Sequence, residues 1–169
     1  MYEQYWGLKE KPFENTPDPK FFYASSQHEE ALARMLYTIR EGKGAGMLTG
    51  VYGCGKTLLA NAILKELQKD IYKVVLINNP RLNDLEMLRM IAYGLGHQNV
   101  PVNKADVLFK IETTLKENLL DGKKTVVIID EAHVIQDVNV FEEIRLLLNF
   151  QLEDKFLLTV LLFGQPELK

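Results

Sequence analysis

The chain of 169 residues contains one cysteine, Cys54, and one tryptophan, Trp6. A lone cysteine excludes an internal disulfide framework and leaves stability to a hydrophobic core. No apolar run approaches the roughly 20 residues that a membrane-spanning helix needs. The opening Met1-Tyr2-Glu3-Gln4-Tyr5-Trp6 has neither the basic start nor the apolar centre of a secretory leader. Together these absences imply a reducing, cytoplasmic setting. Excess positive charge is missing too: 20 Lys and Arg against 23 Asp and Glu give a net charge of −3. No global basic field draws the chain to nucleic acid, although a local patch stays open. Disorder is excluded by composition, since 47% of residues are hydrophobic and 25% charged, as in a soluble single domain with a sizeable core.

Prolines are few and unevenly placed. Three of the six, Pro12, Pro17 and Pro19, fall in residues 1–25 among Tyr2, Tyr5, Trp6, Phe13, Phe21, Phe22 and Tyr23. Prolines at this spacing disfavour regular helix, so an extended segment whose rings pack on the core is expected. A sharper reading makes Pro12 and Phe13 a lid over a flat ring; simple packing competes with it.

The densest signal is Gly50-Val51-Tyr52-Gly53-Cys54-Gly55-Lys56-Thr57, which fits the phosphate-loop pattern of Gly, any four residues, then Gly-Lys-Thr. An apolar stretch, Ala45–Thr49, precedes it, and the helical run from Leu58 to Leu64 follows. The glycines let the backbone turn tightly around an anion with its N–H groups inward. The helix that starts there adds its positive end. Lys56 supplies a point charge for the β- and γ-phosphates, and the Thr57 hydroxyl supplies a Mg²⁺ ligand. The candidate cofactor-binding set is therefore Gly50, Val51, Tyr52, Gly53, Cys54, Gly55, Lys56, Thr57 and Leu58, with a nucleotide and Mg²⁺ as the cofactors.

Around this loop the periodicity alternates between strand and helix. Ser25 or Ser26 caps a helix running to about Arg40, with Glu29 placed to complete a capping box with Ser26. Lys73–Ile77 reads as a strand ending at Asn78-Asn79-Pro80. Leu85, Leu88, Ile91, Ala92 and Leu95 mark one helical face, and Val107, Leu108, Ile111, Leu115 and Leu119 another, from about Lys104 to Leu120. Lys123 to Ile129 is a strand whose unbroken apolar run suits burial on both faces, and it delivers Asp130 and Glu131 at its end. A short helix over about 140–150 and a strand over 156–163 complete the pattern. Strand and helix alternation predicts a parallel sheet covered on both sides, an α/β phosphate-loop NTPase three-layer sandwich.

Ligands of such sheets bind beyond the carboxyl ends of the strands, so Asp130 and Glu131 should meet the phosphate loop at one crevice. Asp130 would hold Mg²⁺ with Thr57, and Glu131 would polarise the attacking water. A solvated strand end is the rival reading of this acidic pair.

Ile129-Asp130-Glu131-Ala132-His133 resembles the Walker B motif of AAA+ ATPases, and nearly the whole chain is similar to the ExeA/GspA-type ATPases linked to general secretion. The matching stretches are Met1-Tyr2 with Tyr5-Trp6-Gly7-Leu8, Pro12-Phe13, Pro17-Asp18-Pro19, His28 with Glu30-Ala31-Leu32, the two Walker motifs, and Gly164-Gln165-Pro166-Glu167-Leu168. The resemblance implies ATP hydrolysis coupled to self-assembly and to control of a protein partner in a secretion or cell-envelope system. It adds Gln165 to the catalytic set as a sensor 1 group contacting the γ-phosphate or the lytic water. It also adds Asn79 as the polar residue that restrains Glu131. Gln165 as a turn residue before Pro166, and Asn79 as a turn former, are the competing readings. His133 has no metal-spaced partner and reads as a supporting or surface histidine.

Cys54 departs from the Thr or Ser common at that loop position, where a small side chain suffices. AAA+ modules continue past the fourth strand with a fifth strand, an arginine finger and a helical lid. None is expected before Lys169, so residues 26–169 should form an AAA+ core without its lid and hydrolyse ATP slowly. Arg145 is placed either to reach a neighbouring subunit or simply to face solvent. Two further classes compete: a DNA-associated AAA+ regulator of the transposition type, and an interaction module that uses nucleotide only to stabilise its fold.

Overall fold

The computed structural model of the chain describes residues 2–11 and 19–168. In chain order the helices are α1 (Tyr2–Trp6), α2 (Ser26–Arg40), α3 (Lys56–Glu66), α4 (Asp84–Gly94), α5 (Lys104–Leu120) and α6 (Val138–Leu147). The strands are β1 (Ala45–Thr49), β2 (Tyr72–Ile77), β3 (Lys124–Ile129), β4 (Gln151–Leu152), β5 (Lys155–Phe156) and β6 (Leu158–Gly164).

Four strands form a parallel sheet in the order β1-β6-β3-β2. β3 is buried from Thr125 to Ile129, because its residues feed two separate cores. Val127 and Ile129 point into a core built with α4, α5 and α6, through Met87, Leu88, Ile91, Val107, Ile111 and Ile144. Val126 and Ile128 point the other way, onto Leu36 and Ile39 of α2 and Leu59 and Ile63 of α3. The period of two along the strand thus sorts its side chains between two helical layers. This is the expected three-layer α/β arrangement of a phosphate-loop fold, with all four strand ends opening toward the same side.

Local chemistry sets the helix ends. Asn83 starts α4 with a full capping box: it accepts from the Glu86 N–H at 2.9 Å, while Glu86 accepts from its own N–H at 3.0 Å. α2 is capped by Ser25 rather than Ser26, and the third position is His28 rather than Glu29. The Ser25 hydroxyl accepts the His28 N–H and lies 2.7 Å from His28 Nδ1, so an imidazole takes the place expected for the Glu29 carboxylate.

Two other expectations are corrected. The strand expected from Phe156 begins at Leu158, because residues 151–156 turn back on themselves as the β4-β5 hairpin, with Glu153 at φ +56°. The early aromatic rings do not all pack on the core. Phe22 joins the α2/α3 side, but Tyr5, Trp6 and Tyr23 are exposed, and residues 2–6 form a turn and a half of helix. The three prolines follow that helix, so they do not prevent it. Pro12, Phe13 and Pro17, and with them the proposed lid, lie outside the described residues.

Candidate functional site

The phosphate loop runs from the end of β1 to the start of α3, and its geometry follows from its glycines. Gly53 and Gly55 adopt φ +75° and +86°, conformations that suit residues without a Cβ. At Gly55 there is a second reason, because a Cβ would stand 3.2 Å from His28 Nε2. That histidine reaches across from α2 and donates to the Cys54 carbonyl at 2.9 Å, with Ser25 on its other nitrogen. At Gly50 a Cβ would sit 2.6 Å from Cys54 Sγ, so the thiol occupies the hollow that the glycine leaves.

Lys56 opens α3 and is only 7% exposed. Its Nζ donates to Gly50 O at 2.9 Å and Val51 O at 3.0 Å, and no carboxylate pairs with it among the described residues. A buried ammonium satisfied by neutral carbonyls alone is an incomplete arrangement; an anion at the loop would complete it. Next to it, Thr57 Oγ1 donates to Asp130 Oδ2 at 2.6 Å, joining the two motifs across 73 residues of sequence. Asp130 is 3% exposed; its other oxygen accepts the Glu131 N–H at 2.9 Å, and its own N–H is held by Ile77 O at the end of β2. Two adjacent hard oxygens beside a free phosphate loop are the donor set that Mg²⁺ takes together with phosphate oxygens and water.

Glu131 follows in a left-handed conformation, φ +52° and ψ +36°, which costs a non-glycine residue roughly 1–2 kcal/mol. Its backbone turns the chain into the short 3₁₀ turn Ala132–Val134. Its carboxylate lies 3.2 Å from His133 Nδ1. Gln165 stands just past β6, where the Gly50 N–H is bonded to Gly164 O at 3.1 Å, so it borders the mouth of the phosphate loop. Its side chain meets His133 Nε2 at 2.8 Å.

The structure therefore brings Lys56, Thr57, Asp130, Glu131 and Gln165 to one end of the sheet. Asn79 stands exposed just beyond β2, with no hydrogen bond to Glu131. The exposed Val51 and Tyr52 form the outer rim of the loop, while Leu58 lies within the first turn of α3. Arg145 is exposed on α6, its Nε and Nη2 both bonded to Glu142 Oε2. A cavity of about 280 Å³ opens between the start of α2 and the loop, with Gln27 and His28 on one wall and Thr49 and Val51 on the other. Sequence reasoning missed the part played by His28, and it read His133 only as a supporting or surface histidine, without the bond to Gln165. Their contacts span 26 and 32 residues, and no local spacing announces them.

Residues 39–169 match the family model described as the AAA domain. The chain belongs to the AAA domain family. It is 39% identical over 174 residues to the General secretion pathway protein A of Aeromonas hydrophila, an alignment that covers all of this chain and 31% of that protein. With the family match, this bears out the resemblance to ExeA/GspA-type AAA ATPases. Among solved structures, the Aeropyrum pernix ORC2 protein in its ADPNP-ADP complexes superposes with a TM-score of 0.64 at 19% identity, covering 91% of this chain and 44% of that one. Its ADP form gives 0.61 at 20% identity with the same coverage. These two likenesses are of fold, and they agree with the parallel sheet and phosphate loop described above. The AAA domain described here spans less than a third of its secretion relative.

Proposed function

We propose that this AAA domain binds Mg-ATP at the crevice between the phosphate loop and the end of β3 and hydrolyses it. The observation that carries the reading is Lys56: a buried ammonium with no acidic partner among the described residues, set beside the bonded Thr57–Asp130 pair. Loop N–H groups and Lys56 would bind the β- and γ-phosphates, and Thr57 and Asp130 would hold Mg²⁺, which would supply charge neutralisation at the phosphates. Glu131 accepts a proton from the attacking water, and Gln165 orients the phosphate or that water. The cavity beside His28 gives room for the remainder of the nucleotide.

In this reading the ATPase cycle drives association between copies and control of a protein partner, in keeping with the secretion role named in its relative. The domain acts in the cytoplasm on this reading; no helix among the described residues is long and apolar enough to cross a membrane.

Steady-state Mg-ATP turnover per chain, measured against protein concentration with Lys56→Ala as the blank, tests this. Turnover above the blank that climbs with concentration supports an ATPase whose subunits complete one another's sites. Turnover at the blank level at every concentration, with ATP still bound, refutes hydrolysis by this domain and leaves a nucleotide-holding module.

A further inference from the structure

His133 is placed between two groups that the reaction would use. One nitrogen, Nε2, lies 2.8 Å from the Gln165 amide nitrogen. An amide N–H₂ only donates, so Nε2 must accept and the imidazole proton belongs on Nδ1. Nδ1 faces Glu131 Oε2 at 3.2 Å, yet the contact is out of line, and Nδ1 is otherwise a buried atom with no hydrogen-bond partner. A small rotation of the Glu131 carboxylate would complete that bond. The ring itself has little freedom, because its side chain is 15% exposed and its backbone is pressed against β6. A Cβ on Gly164 would stand 3.2 Å from the His133 backbone nitrogen and 2.8 Å from Leu168 Cδ2, so the glycine is what lets the 3₁₀ turn settle on the strand end.

We propose that His133 is a positioning residue: it ties the carboxylate of Glu131 to Gln165, so that a phosphate contact made by Gln165 at the end of β6 sets the direction of the catalytic carboxylate at the end of β3. The inference rests on the reading of Glu131 as the group that activates water. It makes the polar end of one strand and the acidic end of its neighbour a single unit, with the neutral Nδ1–H imidazole as the joint.

Three substitutions and one spectroscopic readout test it. His133→Ala should lower kcat about 10- to 100-fold while ATP affinity stays within about twofold, the pattern of a lost orienting contact rather than a lost binding contact. His133→Asn places an amide N–H near where Nδ1 stands but nothing at Nε2, so it should restore only part of that loss, and full restoration would overturn the tie to Gln165. The double variant His133→Ala/Gln165→Ala should be no slower than the slower single variant, because groups that act as a unit are not additive. Multiplying effects, or a fall in affinity matching the fall in kcat, would overturn the proposal. Independently of turnover, nitrogen NMR of the unliganded chain should show the His133 ring protonated at Nδ1, with the Nε2 resonance moving in Gln165→Ala. A proton on Nε2 in the unaltered chain overturns the relay whatever the activity. The expected tautomer in a chain whose turnover never exceeds the Lys56→Ala blank supports the contact chain and sinks the ATPase reading instead.

Discussion

Replacing Lys56 by Met should separate what the ammonium does for the fold from what it does for the ligand. Lys56 is buried, and among the described residues its ammonium meets only the Gly50 and Val51 carbonyls. Hydrogen bonds to a charged group contribute about 1.5–3 kcal/mol each, and the desolvation they offset is several kcal/mol per ion. The two nearly cancel, so Lys56→Met, which keeps most of the apolar stem, should change unliganded stability by no more than about 1 kcal/mol in either direction. For a chain of this size that is a shift in Tm of about 2–4 °C. Binding should respond differently, because the lost phosphate contacts weaken ATP by about 3 kcal/mol, roughly 100-fold. With Mg-ATP at about 100 times the Kd of the unaltered chain, ligand linkage stabilises that chain by about 2.7 kcal/mol and the variant by about 0.4. In thermal denaturation followed by fluorescence, an ATP-induced rise of about 5–11 °C should shrink to about 1–2 °C. A variant that keeps the full rise, or whose unliganded Tm drops by more than about 8 °C, would refute the argument that this ammonium is held for an anion.

Glu131→Gln should cut turnover by about 10²- to 10⁴-fold in a single-turnover assay and leave Mg-ATP binding by calorimetry within about threefold, since it removes the proton acceptor and keeps the shape. Lys104 bridges Asp84 at 2.8 Å and the buried Glu143 at 2.7 Å, so Lys104→Met should cost about 1–2 kcal/mol in urea unfolding, most of it from the stranded Glu143 carboxylate. The hydrogen bond to Lys104 holds the Asp84 carboxyl below its ordinary 3.8, and the two acids hold Lys104 above its ordinary 10.5. The Asp84 contribution is therefore complete above pH 3.8 and fades as pH falls through the depressed value, while that of Lys104 is complete below 10.5 and fades as pH rises through the raised one. Lys104→Met should flatten both flanks of the stability-pH curve. Gly94→Ala should destabilise by about 1–3 kcal/mol despite the better helix propensity of Ala, because its Cβ would fall 2.3 Å from Val75 Cγ1; the same change in a Val75→Ala background should cost less.

The elements that were legible in the sequence are those whose signal is local. β3 announces itself because burial on both faces leaves no polar position to break the run from Val126 to Ile129. The loop from Gly50 to Thr57 is legible because its chemistry is made by consecutive backbone amides, and consecutive residues are what a sequence displays. At α2 the cap is Ser25, one of the two serines that the sequence offers, while the capping box of Ser26 with Glu29 gives way to His28, which presents Ser25 with both a backbone N–H and a ring nitrogen. Of the hairpin at residues 151–156 only Phe156 is read into the following strand, because it carries strand character of its own. Its pairing back onto Gln151, across the turn at Glu153, is long-range information that the apolar run does not display.

The supporting histidines belong to a different kind of information. His133 reaches Gln165 only because β6, last in sequence, is inserted between β1 and β3 in space, and His28 reaches the loop because α2 packs against α3 and β1. That insertion puts Gly164 beside both Thr49 and the turn that carries His133. It also makes the residue after β6 a neighbour of both motifs at once. Strand order is fixed by which faces the helices cover and by right-handed crossovers, so it is a property of the whole chain rather than of any window in it. A histidine at the joint between two strands therefore looks, in sequence, like any polar residue after an acidic pair. Its role becomes visible when lateral order is known, and the same reasoning directs attention to residues just past the ends of inserted strands, where groups far apart in sequence are brought into one hydrogen-bonded row.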